Sequence, residues 1–145
     1  MWRLAKSLHS LIDEINRSAP GRDESHDMSD GGAAYANRPS DHKPCPCHQV
    51  VCAFDFTHDP SKGFDAHEFA DWLAGRLKSG QEGRVKYIIS NSRICSGPKQ
   101  PYRPGVWREY KGIDPHKTHV HVSVVHPSFD WSAPWEWEIH AQRVQ

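Results

Sequence analysis

The chain has 145 residues, 37% of them hydrophobic, with a mean hydropathy of −0.77, and its 18 basic residues balance 18 acidic ones. This length fits one domain over residues 1–145, and no run approaches the roughly 18 apolar residues of a membrane span. The neutral charge balance argues against a nucleic-acid binder that neutralises phosphates. The unusual counts are 11 histidines and 6 tryptophans. Histidine is the commonest metal ligand and carries protons near neutral pH, so metal or acid–base chemistry is the first hypothesis.

The N-terminal segment has helical spacing. Apolar residues at positions 4, 8, 11, 12 and 15 predict a helix over about 3–17 that stops before Pro20. Charged residues interrupt this stretch, so it does not resemble a secretory signal peptide, and we expect synthesis in a cytoplasm without Sec export. Residues 22–46 then lack an apolar period, and a loop of this length is usually functional or disordered.

The middle of the chain contains two predicted strands around a helix. Residues 50–56 read as a buried strand, and Asp65 with Glu68 forms a capping pattern for a helix that Gly80 would end. The inner face of this helix consists of large apolar residues, namely Phe69, Trp72, Leu73 and Leu77. Residues 85–90 form the next predicted strand, which we expect to continue toward Ile94.

Strict alternation marks the last strand, predicted over residues 118–124. His119, His121 and Ser123 share one face and three valines the other, so the valines can fill a core while both imidazoles project into a cleft. Residues 129–137 are aromatic and interrupted by proline, and we expect them to pack across the sheet. The order of elements predicts a small α+β fold with an antiparallel sheet.

Asp55 is the first candidate for chemistry. Its carboxylate lies in an apolar strand, where burial costs several kcal/mol unless the group is paired or bound to a cation. A hydrogen-bonded structural aspartate is the simpler reading. Two histidines one residue apart on another strand favour a mixed nitrogen–oxygen zinc site instead. Catalytic zinc takes three protein ligands, and the third can be His42 or His48.

Five motifs lie along the chain in a recognisable order. They are PGRD at 20–23, Arg38-x-Ser40-Asp41-His42-x-Pro44, AFDFTHDP at 53–60, RVKYIISN at 84–91, and Tyr110-x-Gly112-x-x-Pro115-His116-x-x-His119-x-His121 followed by Val-Ser-Val. Together they resemble the zinc D-Ala-D-Ala carboxypeptidase and L-alanyl-D-glutamate peptidase family, whose fold is shared with the hedgehog signalling domain. The likeness covers nearly the whole chain and is closest to a phage endolysin-type branch of peptidoglycan hydrolases.

The resemblance implies a hedgehog/DD-peptidase-like α+β fold with one catalytic Zn²⁺ and no separate wall-binding domain. The implied metal ligands are His42, Asp55 and His121. The implied catalytic residues are His119, His116 and Asp114, among which the general base stays open, and Arg38, which would bind an oxyanion or a peptide carboxylate.

Two departures from the family pattern are visible. The segment from Cys45 to His48 lengthens the spacer between the first histidine and the aspartate, and this spacer lacks the usual glycine. Thr118 stands three residues before the last ligand, where many relatives carry an acid. These departures motivate the alternative of a non-catalytic, metal-retaining structural or binding module of a phage particle.

The implied function is hydrolysis of a peptide bond in the peptidoglycan stem through a zinc-activated water, by a monomer. Which stem bond is cut stays open. A wall-cutting enzyme without an export signal would stay in the host cytoplasm until a holin releases it, or would be associated with the virion. A two-histidine phosphodiesterase is a weaker hypothesis, because its two motifs would lie five residues apart on one segment.

The cysteines are Cys45, Cys47, Cys52 and Cys95. Four clustered cysteines are too few for a secreted disulfide scaffold, so reduced thiols are expected. The alternatives are a thiolate-rich zinc site that includes His48, and a disulfide from Cys52 to Cys45 or Cys95.

Overall fold

The computed structural model describes residues 2–29, 40–46 and 48–144. Within these ranges the chain is α+β, with three α-helices and a small antiparallel sheet. The helices are α1 (Lys6–Ser18), α2 (Ala66–Lys78) and α3 (Trp137–Arg143), and the strands are β1 (Arg3–Leu4), β2 (Val50–Val51), β3 (Ala53–Thr57), β4 (Val85–Ser90), β5 (Arg93–Ser96), β6 (Arg108–Glu109) and β7 (His119–Val124). None of the described helices has the length and apolar character to cross a membrane.

The main sheet has the strand order β3-β7-β4-β5-β6, and every neighbouring pair is antiparallel. The valines of β7 belong to the hydrophobic core, as the alternation predicts. The histidine side of β7 is not an open cleft, because His119 and His121 are each less than a tenth exposed. Both faces of this strand are therefore covered, one by apolar and one by polar side chains.

Helix α2 follows its sequence signals. The Asp65 carboxylate accepts hydrogen bonds from the N–H groups of His67 and Glu68, which satisfies two donors of the first turn. Phe69 and Leu73 are buried against the sheet, as expected, whereas Trp72 is only partly buried. The helix therefore covers the core side of the sheet.

The start of α1 differs from the prediction. Residues Arg3–Leu4 are not helical but pair in parallel with β2, and the N–H of Ala5 continues the ladder to the carbonyl of Val51 at 3.0 Å. The strand predicted over 50–56 is divided at Cys52, because its N–H binds the Asp41 carbonyl at 3.2 Å. The N-terminal half of that segment pairs with β1, and the other half enters the main sheet.

The strand predicted to continue from β4 toward Ile94 also reverses. Asn91 and Ser92 have φ values of +51° and +65°, the left-handed conformation at both central positions of a tight hairpin turn. The chain therefore returns as β5 beside β4.

The aromatic tail contacts α1. The buried indole of Trp135 donates a hydrogen bond to the Ser7 carbonyl at 2.8 Å, and its backbone N–H donates to the Glu14 carboxylate at 2.6 Å. The Arg84 guanidinium lies 3.9 Å from the centre of the Trp135 ring. Helix α3, which the sequence analysis did not predict, follows directly.

Candidate metal centre

The register of β3 and β7 places Asp55 directly opposite His121. Residues paired across antiparallel strands project on the same face, so the carboxylate meets the imidazole across the sheet. His119 lies two residues away on the same face, opposite Thr57. The sheet alone therefore brings one carboxylate and two imidazoles together.

A first group of ligand atoms forms around one carboxylate oxygen. Asp55 Oδ1 lies 3.0 Å from His121 Nδ1 and 3.3 Å from His42 Nε2. All three residues are buried, and their ligand atoms lie within 4.8 Å of one another. This group can hold a metal ion, and it contains the three ligands that the family resemblance implies.

A second group lies on the other side of the same carboxylate. His119 Nε2 is 3.7 Å from Asp55 Oδ2 and 3.5 Å from Asp114 Oδ2. Asp55, His116 and His119 also bring their ligand atoms within 4.8 Å of one another. The sequence analysis proposed His116, His119 and Asp114 for proton transfer, and these residues lie adjacent to the first group.

In each of the four imidazoles, the ring nitrogen that faces away from the ligand group has a polar partner. His42 Nδ1 donates to the Ser29 carbonyl at 3.0 Å, and His116 Nδ1 donates to the Asp114 carbonyl at 2.7 Å. His119 Nδ1 lies 3.0 Å from the Thr118 hydroxyl, and His121 Nε2 lies 2.7 Å from the Ser123 hydroxyl. Metal-binding histidines are usually oriented by such a partner on the second nitrogen, which fixes the tautomer and the ring direction.

Burial and hydrogen bonding oppose each other in the pKa values of this cluster. Burial alone would raise the pKa of Asp55, but hydrogen bonds from His121 and His42 outweigh it and hold that pKa well below its usual range. Burial would lower the pKa of His42, whereas its contact with Asp55 raises it above the ordinary value. Burial, together with the neighbouring His121, lowers the pKa of His116. A carboxylate whose lowered pKa favours the ionised form is thus surrounded by imidazoles.

Two loops deliver the histidines that the sheet does not carry. His42 belongs to a loop whose Asp41 carbonyl accepts the Cys52 N–H and whose Asp41 carboxylate pairs with Lys86 Nζ at 3.1 Å. His116 lies in the loop between β6 and β7, and its carbonyl accepts a hydrogen bond from the Asn91 N–H at 2.9 Å. Both loops are therefore anchored on strands of the sheet or on their immediate ends.

The alternatives from the sequence lie elsewhere or outside the described residues. The ring of His48 stacks on His126 at 6.1 Å and does not belong to either ligand group. Arg38 and Cys47 lie outside the described residues, so the oxyanion role and the four-residue thiolate site stay predictions. Cys52 and Cys95 are free thiols, and Cys52 Sγ lies 3.8 Å from His126 Nε2.

The sequence analysis missed Tyr87. Its ring stacks on His121 with centres 5.3 Å apart and planes at 9°, which restricts the imidazole from the β4 side. The register pairs Tyr87 with Ser123, the residue whose hydroxyl contacts the same imidazole. Only the strand pairing of β4 with β7 reveals this neighbour, and that pairing has no local signal in the sequence.

A cavity of about 630 Å³ opens beside the loop that carries His42. Its lining includes Asp41 and three lysines, Lys43, Lys86 and Lys99. None of the imidazoles of the two ligand groups lines it. The cavity therefore lies next to the loop that contributes His42 to the ligand group, and its wall combines three lysines with apolar residues such as Val50 and Val124.

Comparisons with known proteins give no relatives: no family model, no curated protein and no solved structure matches this chain. The geometry of the cluster and the motifs of the sequence therefore carry the functional argument.

Proposed function

We propose that this chain is a zinc-dependent peptidoglycan peptidase of the endolysin type, with a hedgehog/DD-peptidase-like fold, that hydrolyses a peptide bond of the stem peptide. The observation that carries the metal part of the proposal is the buried group of His42, Asp55 and His121. The substrate part rests on the five motifs that resemble the peptidase family.

The donor set suits zinc. Zinc in proteins binds both imidazole nitrogens and carboxylate oxygens, and three protein ligands are the usual number at a catalytic zinc. Zn²⁺ bound there would supply a Lewis acid that polarises a carbonyl and lowers the pKa of water toward about 7. The carboxylate of Asp55 is held in its ionised form, as a metal ligand must be.

The residues beside the first group can move the proton. His119 Nε2 points between the Asp55 and Asp114 carboxylates, and its Nδ1 is held by Thr118. In the proposed reaction His119 accepts a proton from the attacking water and returns it to the amine that leaves. Asp114, whose side chain is largely exposed, stabilises the imidazolium at 3.5 Å.

The cavity beside His42 supports an acidic peptide as substrate. Stem peptides carry carboxylates on their glutamate residue and at their C-terminus, and ammonium groups attract such groups. Lys99 and Lys43 line the cavity together with Lys86, whose charge is shared with Asp41. We propose that this wall positions the part of the stem peptide that does not react.

The decisive experiment is mass spectrometry of purified muropeptides after incubation with the protein, with a chelator, and with the chelator followed by Zn²⁺. We expect one stem-peptide bond to be cut, cleavage to stop with the chelator, and zinc to restore it. His42→Ala should abolish cleavage and metal binding at the first group, whereas His48→Ala should retain both. Stoichiometric zinc without any cleavage would instead favour the non-catalytic module.

A further inference from the structure

We propose that the centre binds two divalent cations, with Asp55 as the bridging ligand and His116 and His119 as ligands of the second ion. This inference uses the metal-ligand role of Asp55 from the proposed function but does not depend on peptidase activity. The second ion is of the zinc, cobalt or manganese class, because its ligands are imidazole nitrogens and carboxylate oxygens.

The two oxygens of the Asp55 carboxylate divide the cluster. Oδ1 faces His42 and His121, and Oδ2 faces His119. Each side completes a separate group of three ligand atoms within 4.8 Å. A carboxylate that offers one oxygen to each of two ligand groups is the arrangement that bridges paired ions about 3.5–4 Å apart.

The imidazoles of the second group are oriented as ligands. His116 Nδ1 donates to a backbone carbonyl, which can only accept, so the proton is on Nδ1 and the lone pair of Nε2 is available. The Thr118 hydroxyl occupies His119 Nδ1, which leaves Nε2 toward Asp55 and Asp114. The second group therefore repeats the ring-orienting contacts of the first.

The backbone of His116 is held in a conformation that directs its ring into the cluster. Its φ is +56°, which is uncommon for a residue other than glycine. The N–H groups of Asn91 and Ser92 hold the adjoining carbonyls of His116 and Pro115 at 2.9 Å and 2.7 Å. A strained conformation fixed from outside is frequent where a side chain must meet a ligand.

Asp114 supplies an additional oxygen for the second ion. Its side chain is 59% exposed, whereas the three residues of each ligand group are buried, so the exposed Asp114 borders only the second group. The second ion is therefore expected to exchange with solvent more readily and to bind more weakly than the first. In the doubly loaded protein His119 is a ligand, and in the singly loaded protein it is free for proton transfer.

The test begins with metal content. The chelated protein is titrated with Zn²⁺ and with Co²⁺ by calorimetry, and the bound metal is counted by elemental analysis after gel filtration. We expect two ions per chain, the second weaker. In X-ray absorption spectra the doubly loaded form should show nitrogen and oxygen ligands without sulfur, and a metal–metal distance of roughly 3.5–4 Å.

Two variants locate the second ion. His116→Asn should lower the stoichiometry from two to one and remove the metal–metal distance, since asparagine tolerates the left-handed backbone but is a poor ligand for zinc. His26→Asn is the matched control, because its ring lies 6.1 Å from that of His119 but belongs to neither ligand group. It should retain two ions.

The outcomes separate this inference from the proposed function. One ion per chain at saturating metal overturns the second site, whatever happens to muropeptides. If two ions bind, Cys45→Ser loses one of them and the spectrum shows sulfur ligands, then the second ion lies at the thiols. That result would also overturn the second site at His116 and His119. Two ions with the expected variants but no muropeptide cleavage would support the inference and overturn the peptidase.

Discussion

The two faces of β7 show how one short strand serves two purposes. On one face, Val120, Val122 and Val124 are buried in the apolar core. On the other, His119 and His121 are buried nearly as fully, but against a carboxylate, hydroxyls and further imidazoles. Burial on the first face stabilises the fold, whereas burial on the second brings together ligand atoms that could hold a metal ion.

This contrast predicts that the faces respond differently to substitution. Removing atoms from the valine face should change the free energy of unfolding and leave metal binding intact. Changing the histidine face should change metal binding and catalysis, with smaller effects on the fold.

The largest effect is expected for Asp55→Asn. The amide removes the negative charge that both ligand groups share. Structural zinc sites contribute about 10–16 kcal/mol over four ligands, so losing one ligand should lower zinc affinity at least ~10²-fold. Calorimetric titration measures this. Asp71→Asn, which changes an exposed carboxylate on α2, should bind metal as the unchanged protein does, and equal affinities in both variants would contradict the site.

His119→Ala separates catalysis from metal binding at the first group. We expect the ion at His42, Asp55 and His121 to be retained and the rate of cleavage to fall roughly 10²–10⁴-fold, the usual size of an acid–base contribution. The measurement is kcat with muropeptides alongside bound metal. Near-normal turnover would transfer the proton role to His116 or Asp114.

Val122→Ala tests the opposite face. Val122 is fully buried and lies between Phe54 and Ile88 in the register of the sheet. Losing two methyl groups there should lower the free energy of unfolding by roughly 1.5–3 kcal/mol. Urea unfolding of the chelated protein measures this change. Val106→Ala, at an exposed position, should change it little. A loss of metal ions in folded Val122→Ala would show that the two faces are not independent.

The smallest effect concerns an ion pair remote from both faces. A hydrogen bond from Arg3 at 2.6 Å lowers the pKa of Asp130 to about 2. Because the folded pKa is depressed, this contribution is present above the ordinary carboxyl pKa near 4 and is lost as the pH falls toward 2. Asp130→Asn should therefore lower stability slightly at neutral pH and converge with the unchanged protein near pH 2. Urea unfolding of chelated protein at several pH values checks this, and parallel curves throughout would refute it.

Part of the site could be predicted because its cause is local. The two-residue period of a strand places His119 and His121 on one face whatever the fold around them. Burial of a carboxylate among apolar residues identifies Asp55 as paired, because an isolated charge there is too costly. The cap at Asp65 depends only on its own and the following residues.

Other features could not be predicted because their cause is distant. The parallel pairing of Arg3–Leu4 with β2 joins segments separated by more than forty positions, and helical spacing nearby conceals it. The turn at Asn91 and Ser92 has a serine in the left-handed conformation, where glycine is the usual signal. The stacking of Tyr87 on His121 exists only after β4 has paired with β7.

The contact of Asp55 with His121 spans 66 positions of the chain, whereas the β4–β5 hairpin closes over a two-residue turn. Closing a longer loop costs more conformational entropy, so the local hairpin can form early and the pairing of β3 with β7 comes late. During synthesis, β3 cannot complete this pairing until β7 has emerged from the ribosome. A chain that lacks β7 thus lacks His119 and His121, and metal binding to the centre would report that β3 has paired with β7.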